Sequence, residues 1–305
     1  MNENDNNNPP QTMTLPQSLK ELKKVNEVGD YSLNMIRHKI FYPALKIPEK
    51  TKGGKNIEIM LPPPINVTVN FSNGILDQTD MNILTAIIHN SKKITKDRQF
   101  EQNGLYFFMP RTVLETLNIS TKHHQWLWDK LKWMKTRDVI VVNNGYKVHT
   151  SIITKFGYPK DPEKARENIH YNPKKLPSTA FGVNVPAFVL FGIEFHAYFL
   201  LSSINIFLPT DDLKKILLIR NGYVQMILKY ILSQKPRYAI NVDKAIKNIC
   251  LDGLSDRMIK DIKISIRKNL EIFNYFNIEL KRTDNGEFFI YKSKPENLFF
   301  TIPTK

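Results

Sequence analysis

The chain has 305 residues, with 44 Lys and Arg against 29 Asp and Glu, so its formal charge is +15. At roughly 100–200 residues per domain this length suggests about two domains, and 42% hydrophobic residues supply their cores, which excludes a wholly disordered chain. The single cysteine, Cys250, excludes an intramolecular disulfide framework and any multi-cysteine metal site. It also fits a reducing compartment. The first residues have neither the basic start nor the apolar run of a secretory signal, so the expected location is cytoplasmic. Nucleic acid, anionic lipid and acidic proteins all attract excess positive charge, so the pattern along the chain must choose among them.

Residues 1–64 are Asn- and Pro-rich with a short charged stretch, and they read as a flexible N-terminal arm. Within it Leu15, Leu19 and Leu22 recur at helical spacing. Order is expected from Ile65, where Ile65, Val67 and Val69 alternate with polar residues as in a half-buried strand. A helix over Met81–Ser91 follows, capped by Asp77 or Thr79, with Ile83, Leu84, Ile87 and Ile88 on one side. Leu105–Met109 is a short strand, and Pro110 starts a helix over Arg111–Leu117. After a turn at Asn118–Ser120, a second helix capped by Ser120 or Thr121 runs to about Thr136, with Leu127, Leu131 and Met134 facing inward. Val139–Val142 and Tyr146–Ile153 then flank Asn144-Gly145 as a β-hairpin.

Helix, strand, helix, turn, helix and hairpin is the order of a winged helix-turn-helix unit, here spanning 65–158. The stretch Gly157–Pro177 has four prolines and mixed charge, and residues 159–180 are read as a linker. Phe188–Leu208 is apolar enough to raise a membrane span. However, Glu194 and His196 lie near its middle, and a central carboxylate costs about 2.5–3.5 kcal/mol on insertion. No membrane association is expected, and the stretch is read as buried strand or helix.

The order repeats over 181–305. A helix capped by Thr210 or Asp211 runs to Ile231 with an interruption at Asn221-Gly222, followed by a strand at Arg237–Asn241 and a helix to Cys250. Ser255 or Asp256 then caps a long helix to about Asn274, with Ile259, Ile262, Ile266, Leu270 and Phe273 inward. Ile278–Arg282 and Glu287–Lys292 close the unit around Asn285-Gly286. The fold class read from this pattern is α+β, two winged helix-turn-helix domains in tandem with a flexible N-terminal arm.

Catalytic and cofactor motifs are missing. Gly53-Gly54-Lys55 lacks the first glycine and the Ser/Thr of a phosphate-binding loop, and no two histidines are spaced to form a metal pair. No enzyme activity, cofactor or metal is expected. The candidate chemistry is cationic. In a winged helix the second helix of the pair enters the major groove and the hairpin approaches the neighbouring backbone. That assigns Lys122, Gln125 and Lys132 with wing residues Lys147 and His149 in the first unit. In the second it assigns Arg257, Lys260, Ile264 and Lys268 with wing residues Lys281, Arg282 and Lys292. Lys263 and Arg267 fall on the flanks of the long helix. Trp126, Trp128 and Trp133 are read as packing residues.

Val183-Asn-Val-Pro-Ala-Phe-Val-Leu-Phe-Gly192, followed by the Tyr238-Ala239-Ile240 strand and the terminal unit, resembles plasmid replication initiators of the TrfA-like type. Gly74-Ile-Leu-Asp-Gln-Thr-Asp80 is similar to that family's opening of its first unit. The resemblance implies binding to repeated origin sequences in double-stranded DNA, opening of an adjacent A+T-rich segment, and recruitment of the host initiator and replicative helicase. Self-association stays open at this stage. A winged-helix transcriptional repressor is the alternative, because the same fold and charge serve it.

Overall fold

The computed structural model describes residues 31–32, 35–36, 41–43, 57–61, 67–71, 76–94, 99–143, 146–158, 186–201, 205–249, 254–293 and 299–301. Its centre is the helix expected over Met81–Ser91, which runs Gln78–Ile94 (α1). Asp77 caps it reciprocally. The Asp80 amide donates to Asp77 Oδ1 at 2.9 Å and the Asp77 amide donates to Asp80 Oδ2 at 3.0 Å. The sequence predicts one buried stripe, yet Asn82, Thr85, His89, Asn90 and Ser91 are buried as well. The reason is that other elements cover this polar side: a helix from the far half of the chain, Gly222–Leu232 (α7), packs at Asn82, while His89 and Asn90 bond to Thr210 and Thr116.

The two helices meet through directional bonds. Asn82 Nδ2 donates to Gln225 Oε1 at 2.9 Å. Asn82 Oδ1 accepts from Gln78 Nε2 at 2.9 Å and from Lys229 Nζ at 2.8 Å. Gln225 Nε2 continues to the Ile219 carbonyl at 2.6 Å. Burial pushes the Lys229 amine well below its ordinary value. One hydrophobic cluster runs through this junction, from Met35 to Tyr291.

Around α1 the first half builds two sheets. Leu105–Phe108 (β6) precedes Pro110–Thr116 (α3), and His124–Lys135 (α4) follows, with Gln99–Gln102 (α2) a single turn before β6. Leu127, Leu131 and Met134 are buried on α4 as their spacing predicts. That helix begins later than the expected Ser120 or Thr121 cap, with His123 at its N-cap and no side-chain capping bond. Asp138–Asn143 (β7) and Tyr146–Ser151 (β8) pair as the expected hairpin, Asn143 opposite Tyr146. Two strands widen it, Ile57–Leu61 (β3) and Val67–Phe71 (β4), in the order β3-β4-β7-β8. After Ile152 the chain continues as Ile153–Gly157 (β9) into the second sheet, where Ala187–Phe191 (β10) lies between β6 and β9.

Parts of the segment read as a flexible arm are therefore built into the fold. Tyr31–Ser32 (β1) pairs with Asn205–Phe207 (β11), which also pairs with Phe299–Thr301 (β15). Phe41–Tyr42 (β2) runs parallel to Leu76–Asp77 (β5), and Met35, Ile36 and Phe41 are in the core. Backbone pairing and burial of these apolar residues outweigh the polar composition around them. The spaced leucines at 15, 19 and 22, the Gly53-Gly54-Lys55 stretch, Cys250 and the expected linker, 159–180, lie outside the described residues.

In the second half the expected helix from Thr210 divides into Thr210–Leu217 (α6) and α7. Asn221 sits between them and caps α7, accepting from the Tyr223 amide at 3.0 Å. Tyr238–Asn241 (β12) leads into Val242–Ile249 (α8), and Ser255 caps Asp256–Lys268 (α9). The long helix expected to Asn274 breaks at Asn269, and Leu270–Tyr275 (α10) carries Phe273 into the core. Ile278–Thr283 (β13) and Gly286–Tyr291 (β14) form the predicted hairpin. Gly286 there has φ +114°, a region that disfavours side chains. β14 pairs directly with β12, whereas β10 intervenes between β6 and β9 in the first half.

The apolar stretch 188–208 holds β10, a helical turn at Ile193–Phe195 (α5), a π-helical segment at His196–Leu201, and β11. The His196 ring is inside, 2.9 Å from the Tyr106 hydroxyl. Among the described residues no helix is long and apolar enough to cross a membrane. Gly192 turns the chain from β10 into α5 at φ −60°, an ordinary value, so its constraint is space: a Cβ there would lie 1.9 Å from the Ser151 carbonyl oxygen. Gly192→Ala is expected to destabilise the protein by about 3 kcal/mol, the upper end of overpacking costs. Urea unfolding measures this, and a loss below about 1 kcal/mol would show that the Ser151 strand yields easily.

Candidate nucleic-acid interface

α9 is amphipathic because isoleucines recur at its inner positions, and Ile262 and Ile266 are buried. The outer face carries Arg257, Lys260, Asp261, Ile264 and Lys268, all exposed, with Ile264 at 39%. Among the described residues Arg257, Lys260 and Lys268 enter no ion pair, so their charge faces solvent. The flank differs. Lys263 Nζ lies 2.7 Å from Asp243 Oδ1, at the start of α8, and Arg267 Nη2 donates to Glu287 Oε1 on β14 at 2.6 Å. These two pairs tie α9 to its neighbours.

The register divides the wing cations. Residues directly opposite across a hairpin share a face. Leu280 lies opposite Phe289, which is buried, and Arg282 lies opposite Glu287, so Arg282 is on the face turned toward α9. Lys281 and Lys292 are on the other face beside Glu279. Lys292 pairs with it closely, and Lys281 Nζ is 4.0 Å from Glu279 Oε2. The Lys292 hydrogen bond holds the Glu279 carboxyl below its usual range. Of the three predicted wing cations, Arg282 alone shares the face of the braced helix.

In the first half the candidates are all exposed but less concentrated. Lys122 sits in the turn ahead of α4 rather than on its face. Gln125 Nε2 donates to Asp129 Oδ1 at 2.9 Å, and Lys132 lies on the same outer side. Val139 and Val141 of β7 are buried, and their partners are Thr150 and Val148. Lys147 and His149 therefore lie on the opposite sheet face. Trp126 and Trp128 pack against the core, while Trp133 is 37% exposed with the Arg137 guanidinium over its ring.

Beside its buried leucines and Met134, α4 is tied down by a partly buried ion cluster that sequence spacing does not reveal. Lys130 Nζ donates to Asp80 Oδ1 at 2.9 Å and to Asp77 Oδ2 at 3.3 Å, joining α4 to the start of α1. Burial works against the Lys130 ammonium, but the charges of Asp80 and Asp77 outweigh it and hold its pKa above the ordinary 10.5. Among the described residues no group of three or more His, Cys, Asp or Glu is placed to hold a metal.

A crystal structure of a selenomethionine derivative of domains 2 and 3 of RctB is similar to this chain, with a TM-score of 0.50 at 11% identity. The match covers 86% of this chain and 98% of that one. A second structure of RctB domains 2-3 matches at a TM-score of 0.46 and 8% identity, over 81% and 95% of the two chains. At this identity the first likeness is one of fold. No protein-family model matches the chain, and no curated protein matches it.

Burial pushes the Asp80 carboxyl from 3.8 up to about 6, with the charge of Asp77 adding and Lys130 opposing. A folded-state value above the unfolded one means that the folded protein takes up this proton first. Its contribution to stability therefore rises as pH falls through about 6 toward about 4. Relative to Asp80→Asn, the wild-type chain is expected to gain stability over that window in urea unfolding. A difference that stays constant with pH would place the Asp80 carboxyl at its ordinary value.

Proposed function

We propose that the chain is a replication initiator that grips repeated sites in double-stranded DNA through two winged helix-turn-helix units. The observation that carries this reading is α9, which presents Arg257, Lys260 and Lys268 to solvent. It stands ahead of a hairpin whose inner strand pairs with β12. Helix, strand, helix, turn, helix and hairpin follow one another there in winged-helix order, so α9 takes the major-groove position and β13–β14 the wing. The first half supplies a comparable order through α1, β6, α3, α4 and β7–β8, with Gln125 and Lys132 outward. The fold likeness to RctB domains 2 and 3 spans both halves, and the excess positive charge supplies the attraction to phosphate.

The action is binding rather than turnover: the chain marks the origin, promotes opening of the adjacent duplex and engages host replication proteins. Specificity comes from base-edge contacts by Arg257, Lys260 and Ile264, whereas Lys268 and Arg282 contact phosphate.

If about 6–10 phosphates are neutralised, affinity should fall about 10³–10⁵-fold between 50 and 200 mM salt. Arg257→Ala with Lys268→Ala is expected to weaken binding and to flatten the slope of log affinity against log salt by about 1 for each phosphate no longer neutralised. Titration of a labelled duplex by fluorescence anisotropy reads both quantities, and wild-type affinity with a wild-type slope would rule out α9 as the reading helix. Replication of a plasmid bearing only this gene and its flanking repeats separates an initiator from a repressor, which would occupy the same DNA without copying it.

A further inference from the structure

Lys263 and Arg267 belong to the flank of a helix whose neighbouring cations are proposed to touch DNA, yet both are engaged in ion pairs with the protein's own carboxylates. They stand one turn apart on α9, and each reaches a different element. Lys263 goes to Asp243 at the start of α8, at 2.7 Å, and Arg267 goes to Glu287 on β14, at 2.6 Å. Burial of Ile262 and Ile266 decides which side of α9 faces inward but sets its roll only coarsely, because apolar contact is non-directional. Charge-assisted hydrogen bonds are directional. Two of them leaving one flank for two elements fix both the roll of α9 and its angle to the hairpin.

Glu287 makes the point sharper. It lies opposite Arg282 on the face turned toward α9, where a bare carboxylate would repel phosphate. Its side chain is only 18% exposed, against 53% for Arg267.

We infer that Arg267–Glu287 and Lys263–Asp243 are a two-point clamp that pre-sets the reading helix against the wing, making these four positioning residues for sequence recognition rather than DNA contacts. The inference rests on the reading of α9 as the DNA-facing helix.

The sign of one substitution decides it. Removing the Glu287 charge tightens DNA binding if electrostatics alone operate, whereas loss of the clamp weakens it. Two labelled duplexes serve as probes for the full chain: one of mixed sequence, and one selected by the wild-type chain from a randomised pool. Glu287→Gln and Arg267→Ala are each expected to lose about two- to fivefold in affinity for the selected duplex, the range of a partly exposed ion pair. Neither should weaken binding to the mixed duplex or flatten the salt slope. The double variant should lose no more than either single one, and exchange of the pair, Arg267→Glu with Glu287→Arg, should recover part of the loss. Asp243→Asn tests the second point independently, and circular dichroism with thermal melting confirms that each variant is folded.

Tighter or unchanged binding of the selected duplex by Glu287→Gln overturns the clamp. So does a loss on both duplexes with a flatter salt slope for Arg267→Ala, which would make Arg267 a phosphate contact. Arg257→Ala and Lys260→Ala run alongside. If these leave both duplexes bound as before, the reading of α9 fails, whatever the clamp variants do.

Discussion

Everything else in this molecule is arranged around the contact between α1 and α7, two helices from opposite halves of the chain that are buried on nearly every side. A purely apolar contact there would hold them together without choosing a single arrangement. Asn82 makes the choice. Its amide oxygen accepts from Gln78 and Lys229 while its nitrogen donates to Gln225, and each of these bonds has a direction. Leaving such groups without partners in a core costs about 1–3 kcal/mol each, so alternative packings of the halves are disfavoured by the same atoms that secure this one.

The two halves follow one element order but solve their sheets differently. In the second, β14 pairs directly with β12, so helix, strand and hairpin form a closed unit. In the first, β10 is laid between β6 and β9, and the hairpin is widened by β3 and β4. The first half therefore draws on strands from three separated parts of the chain. The second is nearly local, with Arg257, Lys260 and Lys268, unpaired among the described residues, along α9 and its wing cations divided between the two faces of the hairpin.

Local patterns were legible in the sequence where neighbouring residues decide the outcome. Leu127, Leu131 and Met134 announce the buried side of α4, Asn285-Gly286 announces a hairpin, and Asn221-Gly222 marks the break between α6 and α7. What was hidden depends on distant partners. Asn82, His89 and Asn90 lie outside the apolar stripe, and nothing local reveals that their partners come from α7, from Thr210 of α6 and from Thr116 of α3. Two-residue strands such as β2 have no periodicity to detect, so Phe41 beside Leu76 was invisible within a polar segment. The candidate interface divides in the same way. The outward positions of Arg257, Lys260 and Lys268 follow from helical spacing, whereas the partners of Lys263, Arg267 and Lys130 lie on other elements and no spacing rule brings them together.

The passage from β8 to β9 has a mechanical meaning. One stretch of backbone serves first as the outer strand of the hairpin sheet and then, past the buried Ile152, as an edge of the sheet built on β6 and β10. Gly192 grips this corner through its amide, 3.0 Å from the Ile152 carbonyl oxygen. A single residue, Ile152, separates the two strands, so the hairpin sheet and the sheet beneath α1 share one continuous length of backbone with no loop between them.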